Sequence, residues 1–329
     1  MKGHITCLAI ECTAHTFGIG IINEKGHILA DVRRQVTTEE GGLIPNAVAN
    51  HHEQVKEDVL KEALQQAHLT MDDIMIIAIS QGPGLPPSLH VGMRYAQQLA
   101  KEFNKPLQGV NHITGHLEIG RLLTGAKDPV YLFVSGANTQ IISREENNFY
   151  VMGETLDTAI GNTLDKFGRT VGLGFPAGPQ IEQLAKKGNY IELPYTVKGM
   201  DVSFSGILTK ALRMHEQGTK TEDLCYSLQE TCFAMLIEVT ERALAFADKQ
   251  EVLLIGGVAA NQRFAAMLEA MSKERGAKAY AVPLKYAADN PVMIGWVGIL
   301  QHQQGVKALT PKDTINPTWR IDQVTATWD

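Results

Sequence analysis

An apolar strand that enters a short turn of small and hydroxyl-bearing residues and leaves as a second strand occurs twice in this chain. The first copy is Leu8–Ile10, the turn Glu11-Cys12-Thr13-Ala14-His15-Thr16, and Phe17 to Ile22. The second is Tyr131 to Val134, the turn Ser135-Gly136-Ala137-Asn138-Thr139, and Gln140 to Ser143. A pattern stated twice limits the chain to folds that repeat one α/β unit, with the boundary between residues 108 and 130. Hydroxyls and free backbone N–H groups at a hairpin tip are suited to wrapping phosphate oxygens. A third element, Val252 to Ile255 running into Gly256-Gly257-Val258-Ala259-Ala260-Asn261, lets backbone pass close to a nucleobase or ribose as a helix begins. One such turn is ordinary connecting structure. Three in this order outline a nucleotide clamp.

The intervening sequence alternates strand and helix signals. Strand-like alternation fills residues 5–36, apolar residues recur at three- and four-residue steps from Ala47 to Gln66, and Met75 to Ile79 reads as a buried strand. A rigid loop, Gly82-Pro83-Gly84-Leu85-Pro86-Pro87, precedes a helix from Val91 to Phe103. Past the second hairpin, a helical insertion runs from Asp157 to Lys187, and further helices fit Thr221 to Lys249 and Pro291 to Gln303. The expected organisation is α/β with two lobes, residues 1–108 and 109–329, the C-terminal segment being open to packing back on the first lobe. No long Ser/Gly linker separates them, so the cleft between lobes is the default ligand site.

Composition narrows the class of partner. The 329 residues are 44% apolar, and no apolar run approaches the roughly 18 residues that would span a bilayer. With no charged-then-apolar export signal at the N-terminus, the expected location is the cytoplasm. The four cysteines (Cys7, Cys12, Cys225, Cys232) lack CxxC spacing and read as buried small residues. A net charge of −6 argues against a surface dominated by nucleic-acid-binding cations. If the substrate is a nucleic acid, another subunit is expected to help hold it.

His112-Ile113-Thr114-Gly115-His116 carries the sharpest chemistry. Residues four apart share a helix face, so both imidazoles can reach one cation, although two surface histidines also fall at this spacing by chance. Asp289, at a loop-to-helix junction, would complete a His/His/Asp set that leaves coordination positions open for phosphate or water. A zinc-protease reading fails because HExxH needs a glutamate where Ile113 stands.

Ile10 to Thr16, Gly82-Pro83-Gly84-Leu85, Val110 to His116, Ser135 to Thr139, Met200-Asp201-Val202-Ser203-Phe204-Ser205-Gly206 and Gly256 to Asn261 together resemble the TsaD-type tRNA threonylcarbamoyl transferases. The likeness is greatest to the archaeal form, the catalytic subunit of the KEOPS complex, and runs from about residue 5 to Arg320-Ile321-Asp322. It implies a duplicated actin/Hsp70-like (ASKHA) fold. It also implies transfer of a threonylcarbamoyl group from threonylcarbamoyl-adenylate to N6 of the adenine 3′ of the anticodon in tRNAs reading ANN codons.

Carried over residue by residue, the resemblance makes His112, His116 and Asp289 ligands of one divalent metal, iron ahead of zinc or manganese. It sets adenine nucleotide or threonylcarbamoyl-AMP against Phe133, Val134, Ser135, Gly136, Ala137, Asp165, Gly178, Glu182 and Asn261. Asp165 or Glu182 would accept from ribose hydroxyls, and Asn261 would meet the base with its two-sided amide; plain solvated charge is the simpler reading of both acids. Glu11 is the candidate catalytic residue, for positioning or as general base, though a carboxylate there could equally cap local N–H groups. The implied partners are tRNA and KEOPS-type subunits, including a small kinase-like protein and a small dimerising subunit, with no membrane. Three departures stand out: Phe133 where archaeal relatives carry Tyr, Ala137 for a second glycine, and Asn46 for Arg. They keep open a catalytically silent nucleotide-binding scaffold. A small-molecule kinase of the same superfold is the other alternative, opposed by the His112–His116 and Met200–Gly206 segments.

Overall fold

The computed structural model describes residues 4–36 and 44–328. They fall into two compact units, residues 4–36 and 44–122 with 289–328, and residues 123–288.

In the first unit, β1 (Thr6–Glu11), β2 (Thr16–Asn23) and β3 (Ile28–Gln35) form an antiparallel meander. Helix α1 (Pro45–Ala67) follows, then β4 (Ile76–Gly82), α2 (Pro86–Glu102), β5 (Leu107–Asn111) and α3 (His112–Thr124). β4 joins β1 in parallel and β5 joins β4, giving the order β3-β2-β1-β4-β5. β1 reads TCLAIE with every residue buried, as expected of a strand covered on both faces. Leu8, Ile10, Ile19 and Ile21 pack with Val59, Ala63, Tyr95 and Ala96 of α1 and α2. The alternate positions, Cys7, Ala9, Gly18, Gly20 and Ala78, are small, and a helix from the end of the chain closes on them.

In the second unit, β6 (Val130–Val134), β7 (Thr139–Glu145) and β8 (Asn148–Glu154) repeat the meander. Then come α4 (Ile160–Thr170), α5 (Gly178–Ala185), the two-residue strands β9 (Val197–Lys198) and β10 (Asp201–Val202), α6 (Ser205–Glu216) and α7 (Thr221–Ala247). β11 (Glu251–Ile255), α8 (Gln262–Glu274), β12 (Lys278–Ala281) and α9 (Leu284–Ala287) complete it. β11 pairs parallel with β6 and β12 with β11, so the order β8-β7-β6-β11-β12 retraces the first sheet strand for strand. The core gathers Leu132, Val134 and Leu254 of the sheet with Phe233, Leu236 and Phe264 of α7 and α8.

The division falls at residue 122/123, where the sequence suggested 108/109. α3 continues directly from β5 and stays with the first unit, and α10 (Pro291–Gln303) returns to cover that unit's open sheet face. The expected helix from Val91 starts earlier because Pro86 and Pro87 occupy its first turn, where a missing N–H costs nothing. The expected 157–187 insertion is two helices, interrupted where Gly172 and Gly174 take positive φ.

His52 of α1 is wholly buried against the Phe17 ring, its Nε2 donating to the Ala14 carbonyl at 2.9 Å. Burial outweighs that bond and pushes its pKa down to about 4. The unfolded chain, with a histidine near pH 6.5, therefore takes up the proton first, so stability present above that pH is lost as pH falls toward 4. Urea midpoints measured from pH 7 to 4 should fall in the wild type and fall less in H52Q; equal slopes would exclude His52 as the source.

Candidate active site

Two asparagine caps set the first group of side chains. Asn111 Oδ1 accepts the N–H groups of Ile113 (2.9 Å) and Thr114 (3.1 Å), so α3 begins at His112 and carries His112 and His116 on one face. Asn290 Oδ1 accepts from Met293 N (3.0 Å), starting α10 one residue after Asp289. The two helix starts lie together: a Cβ on Gly115, between the histidines, would sit 3.0 Å from Met293 Cγ.

His112 Nε2 and His116 Nε2 lie 3.4 and 3.3 Å from Asp289 Oδ1, and one ligand atom from each residue falls within 4.8 Å of the others. A tetrahedral ion with bonds near 2.1 Å separates its ligands by roughly 3.4 Å, which is the spacing of each histidine from Asp289. The imidazoles meet edge to face, 4.8 Å between centroids, both almost fully buried.

Behind His112 lies Glu11. Its Oε2 is 3.1 Å from His112 Nδ1, while its Oε1 accepts from Thr13 N (2.8 Å) and from the Thr13 hydroxyl. A carboxylate oxygen accepts, so Nδ1 carries a hydrogen toward Glu11, and Nε2 is the nitrogen that faces Asp289. Burial lowers the His112 pKa, but the carboxylates of Glu11 and Asp289 outweigh it and push it up to about 10. Asp289 is held well below the usual carboxylate range by His112 and His116 against the opposing effect of burial. Burial pushes His116 down, keeping it neutral and ready to ligate. Between two carboxylates, this pocket favours a positive charge. Glu11 itself is 0% exposed, so its geometry is that of a positioning residue; a general base acting on an external amine needs access that it lacks.

The nucleotide candidates all belong to the second unit. Phe133 and Val134 are interior residues of β6. The turn beyond them is tied by Ser135, whose Oγ accepts from Ala137 N (3.3 Å) and Asn138 N (2.9 Å), so these N–H groups are not free as the hairpin pattern suggested. Gly136 is exposed, and a Cβ there would touch nothing. Asp165 on α4 accepts from Ala177 N (2.8 Å), securing the start of α5 at Gly178; burial raises its pKa. Glu182 accepts from Gln262 N (3.0 Å). Asn261 is buried: its Oδ1 caps α8 through Phe264 N (3.0 Å), and its Nδ2 donates to Gln229 Oε1 (2.8 Å). Its amide is therefore engaged at both ends, with one lone pair and one N–H left beyond these bonds. The structure brings the starts of α5 and α8 together through Asp165, Glu182 and Asn261, at the end of the sheet where Gly256 passes so close to Val134 that a Cβ would lie 2.2 Å from its carbonyl oxygen. Asn46 is exposed in the first turn of α1.

Two features escaped the sequence reading. Asp157 accepts from Thr158 N, Phe204 N, Ser205 N and the Ser203 hydroxyl, which opposes burial and lowers its pKa. Arg33 donates to the Asp289 carbonyl. Its only signal was Asp31-Val32-Arg33 on an alternating strand, which places opposite charges on one face.

The fold has solved counterparts in Thermococcus kodakarensis HypF (TM-score 0.62, 13% identity, 92% of this chain and 48% of that one) and component A of the Acidaminococcus fermentans (R)-2-hydroxyglutaryl-CoA dehydratase (TM-score 0.57, 14% identity, 89% and 97%). At such identities the likeness shows fold alone, and that fold is the duplicated actin-like α/β class. The profile of TsaD, tRNA N6-adenosine threonylcarbamoyltransferase, matches residues 27–296, and the chain belongs to that family. A Thermococcus kodakarensis protein named tRNA N6-adenosine threonylcarbamoyltransferase is 50% identical over 98% of this chain and 99% of its own length. A Thermofilum pendens protein of the same name is 47% identical over 98% and 96%. A Methanobrevibacter smithii protein named probable bifunctional tRNA threonylcarbamoyladenosine biosynthesis protein is 50% identical over 98% of this chain, which spans 60% of that protein.

The double variant H112A/H116A should retain its fold by circular dichroism and lose stoichiometric metal binding, read by elemental analysis after Co²⁺ or Fe²⁺ loading. A full equivalent in the variant would place the metal elsewhere. E11Q should weaken metal affinity about tenfold, because His112 loses its charged orienting partner.

Proposed function

We propose that this protein transfers a threonylcarbamoyl group from threonylcarbamoyl-AMP to N6 of the adenine 3′ of the anticodon in tRNAs that read ANN codons. The observation that carries the reading is end-to-end similarity, 50% identity over 98% of this chain and 99% of the T. kodakarensis enzyme. In the transfer, N6 forms a bond to the carbamoyl carbonyl carbon, the bond from that carbon to the adenylate phosphate oxygen breaks, AMP departs with the electron pair, and N6 releases one proton.

A divalent cation held by His112, His116 and Asp289 would supply Lewis acidity toward a carbonyl or phosphate oxygen, iron being preferred to zinc or manganese. Glu11 and Thr13 fix the His112 tautomer from behind. In the second unit, the open turn at Gly136 receives phosphate, and Gly178 and Glu182 frame the ribose. Asp165 and Asn261 hold the starts of α5 and α8.

The net charge of −6 supports a role for partners in tRNA binding. We take these to be KEOPS-type subunits, including a small kinase-like protein and a small dimerising subunit; the bifunctional name of the M. smithii relative supports coupling to a second component. Among the described residues, no helix is long and apolar enough to cross a membrane, and the proposed site of action is the cytoplasm.

Reconstitution with candidate partners, tRNA and threonylcarbamoyl-AMP should yield modified tRNA and AMP in equal amounts, with no product from H112A/H116A. Absence of product in every combination would support the silent-scaffold alternative. The isolated chain should bind tRNA weakly, and the assembly should lose affinity steeply between 50 and 200 mM salt. Tight, strongly salt-dependent binding by the chain alone would reveal a basic patch that net charge conceals.

A further inference from the structure

We propose that Arg33, on β3, is a positioning residue for the cation site, holding the third ligand through its backbone; the inference rests on the metal reading above. In the strand register, Arg33 stands opposite Gly18 and Asp31 opposite Gly20. A Cβ on either glycine would press on Pro291 or Val292, so this is the sheet face that α10 covers. The glycines leave room beside that helix start for a guanidinium. Arg33 Nε and Nη2 donate to the two Asp31 oxygens at 2.7 and 2.6 Å, a fork that fixes the guanidinium plane. In that plane Nη1 reaches the Asp289 carbonyl at 3.3 Å.

The pair is interior, its side chains 18% and 3% exposed, so solvent screens it little. Asn290 and Pro291 anchor the chain after Asp289, whereas Arg33 grips Asp289 itself. Its carboxylate must point at both histidines, and a peptide free to rotate would carry it away. Lysine has the charge but no fork, so it cannot hold both Asp31 oxygens and the carbonyl in one plane. Residues that orient a metal ligand from outside the coordination sphere tune affinity by about 10- to 100-fold.

The test uses the full chain and Co²⁺, whose visible bands report ligand geometry. R33K retains the charge beside buried Asp31, and D31N/R33Q removes both charges together, so no buried ion is stranded. Both should show Co²⁺ dissociation constants raised at least about tenfold, with altered visible bands and an apo melting temperature near wild type. The Co²⁺-induced gain in melting temperature, read on whichever variant is less stable, should shrink in parallel. Wild-type affinity and bands in either folded variant overturn the proposal. If instead the wild type gives the same Co²⁺ spectrum as H112A/H116A, the metal reading itself fails, and that outcome is separate because it needs no change at Arg33.

Discussion

The first unit depends on how closely α10 can approach its sheet. A Cβ on Gly298 would lie 2.6 Å from the Ala78 Cβ, and one on Gly20 would lie 2.8 Å from Val292 Cγ1. Backbone is thus brought near backbone across a seam of small residues, which maximises dispersion contact and leaves no room for adjustment. Because α10 starts at Pro291, the same seam fixes the height and rotation of Asp289. A packing requirement in the core therefore becomes a coordinate of the site.

Charge adds a second constraint. Burying Glu11, Asp289 and two imidazoles together is unfavourable unless their charges compensate, and each carboxylate oxygen that faces His112 lies within 3.4 Å of a ring nitrogen. Among the described residues, the corresponding hairpin of the second unit carries no comparable His and carboxylate cluster. There the turn is closed by the neutral hydroxyl of Ser135, and the acids sit on helices as N-terminal anchors. One topology thus carries an ionic cluster in one copy and a hairpin turn closed by a hydroxyl in the other.

The sequence displayed the repeat because strand periodicity and turn chemistry are local, and the meanders of both units fall where alternation and small residues put them. It displayed the histidine pair because i and i+4 on a helix is a local relation, and Asn111 supplied the helix start. Asp289 was legible as a chemical type at a helix boundary. The role of Glu11 was not, because whether a carboxylate faces solvent or a buried imidazole is decided by a partner 101 positions away. The bond from Asn261 to Gln229 and the grip of Arg33 were obscured for the same reason: their partners lie far off along the chain. The division at 122/123 falls within the 108–130 window that the repeat set, and α3 carries no break in composition that would have narrowed it.

Chain order gives the discontinuous unit a temporal consequence. Residues 123–288 form one continuous stretch, whereas the unit begun by β1 lacks one covering layer until α10 emerges. Until then its sheet presents Cys7, Ala9 and Ala78 uncovered, and two histidines wait for a carboxylate encoded 173 positions after His116. The three candidate ligands therefore come together only once α10 has joined the sheet of the unit begun by β1.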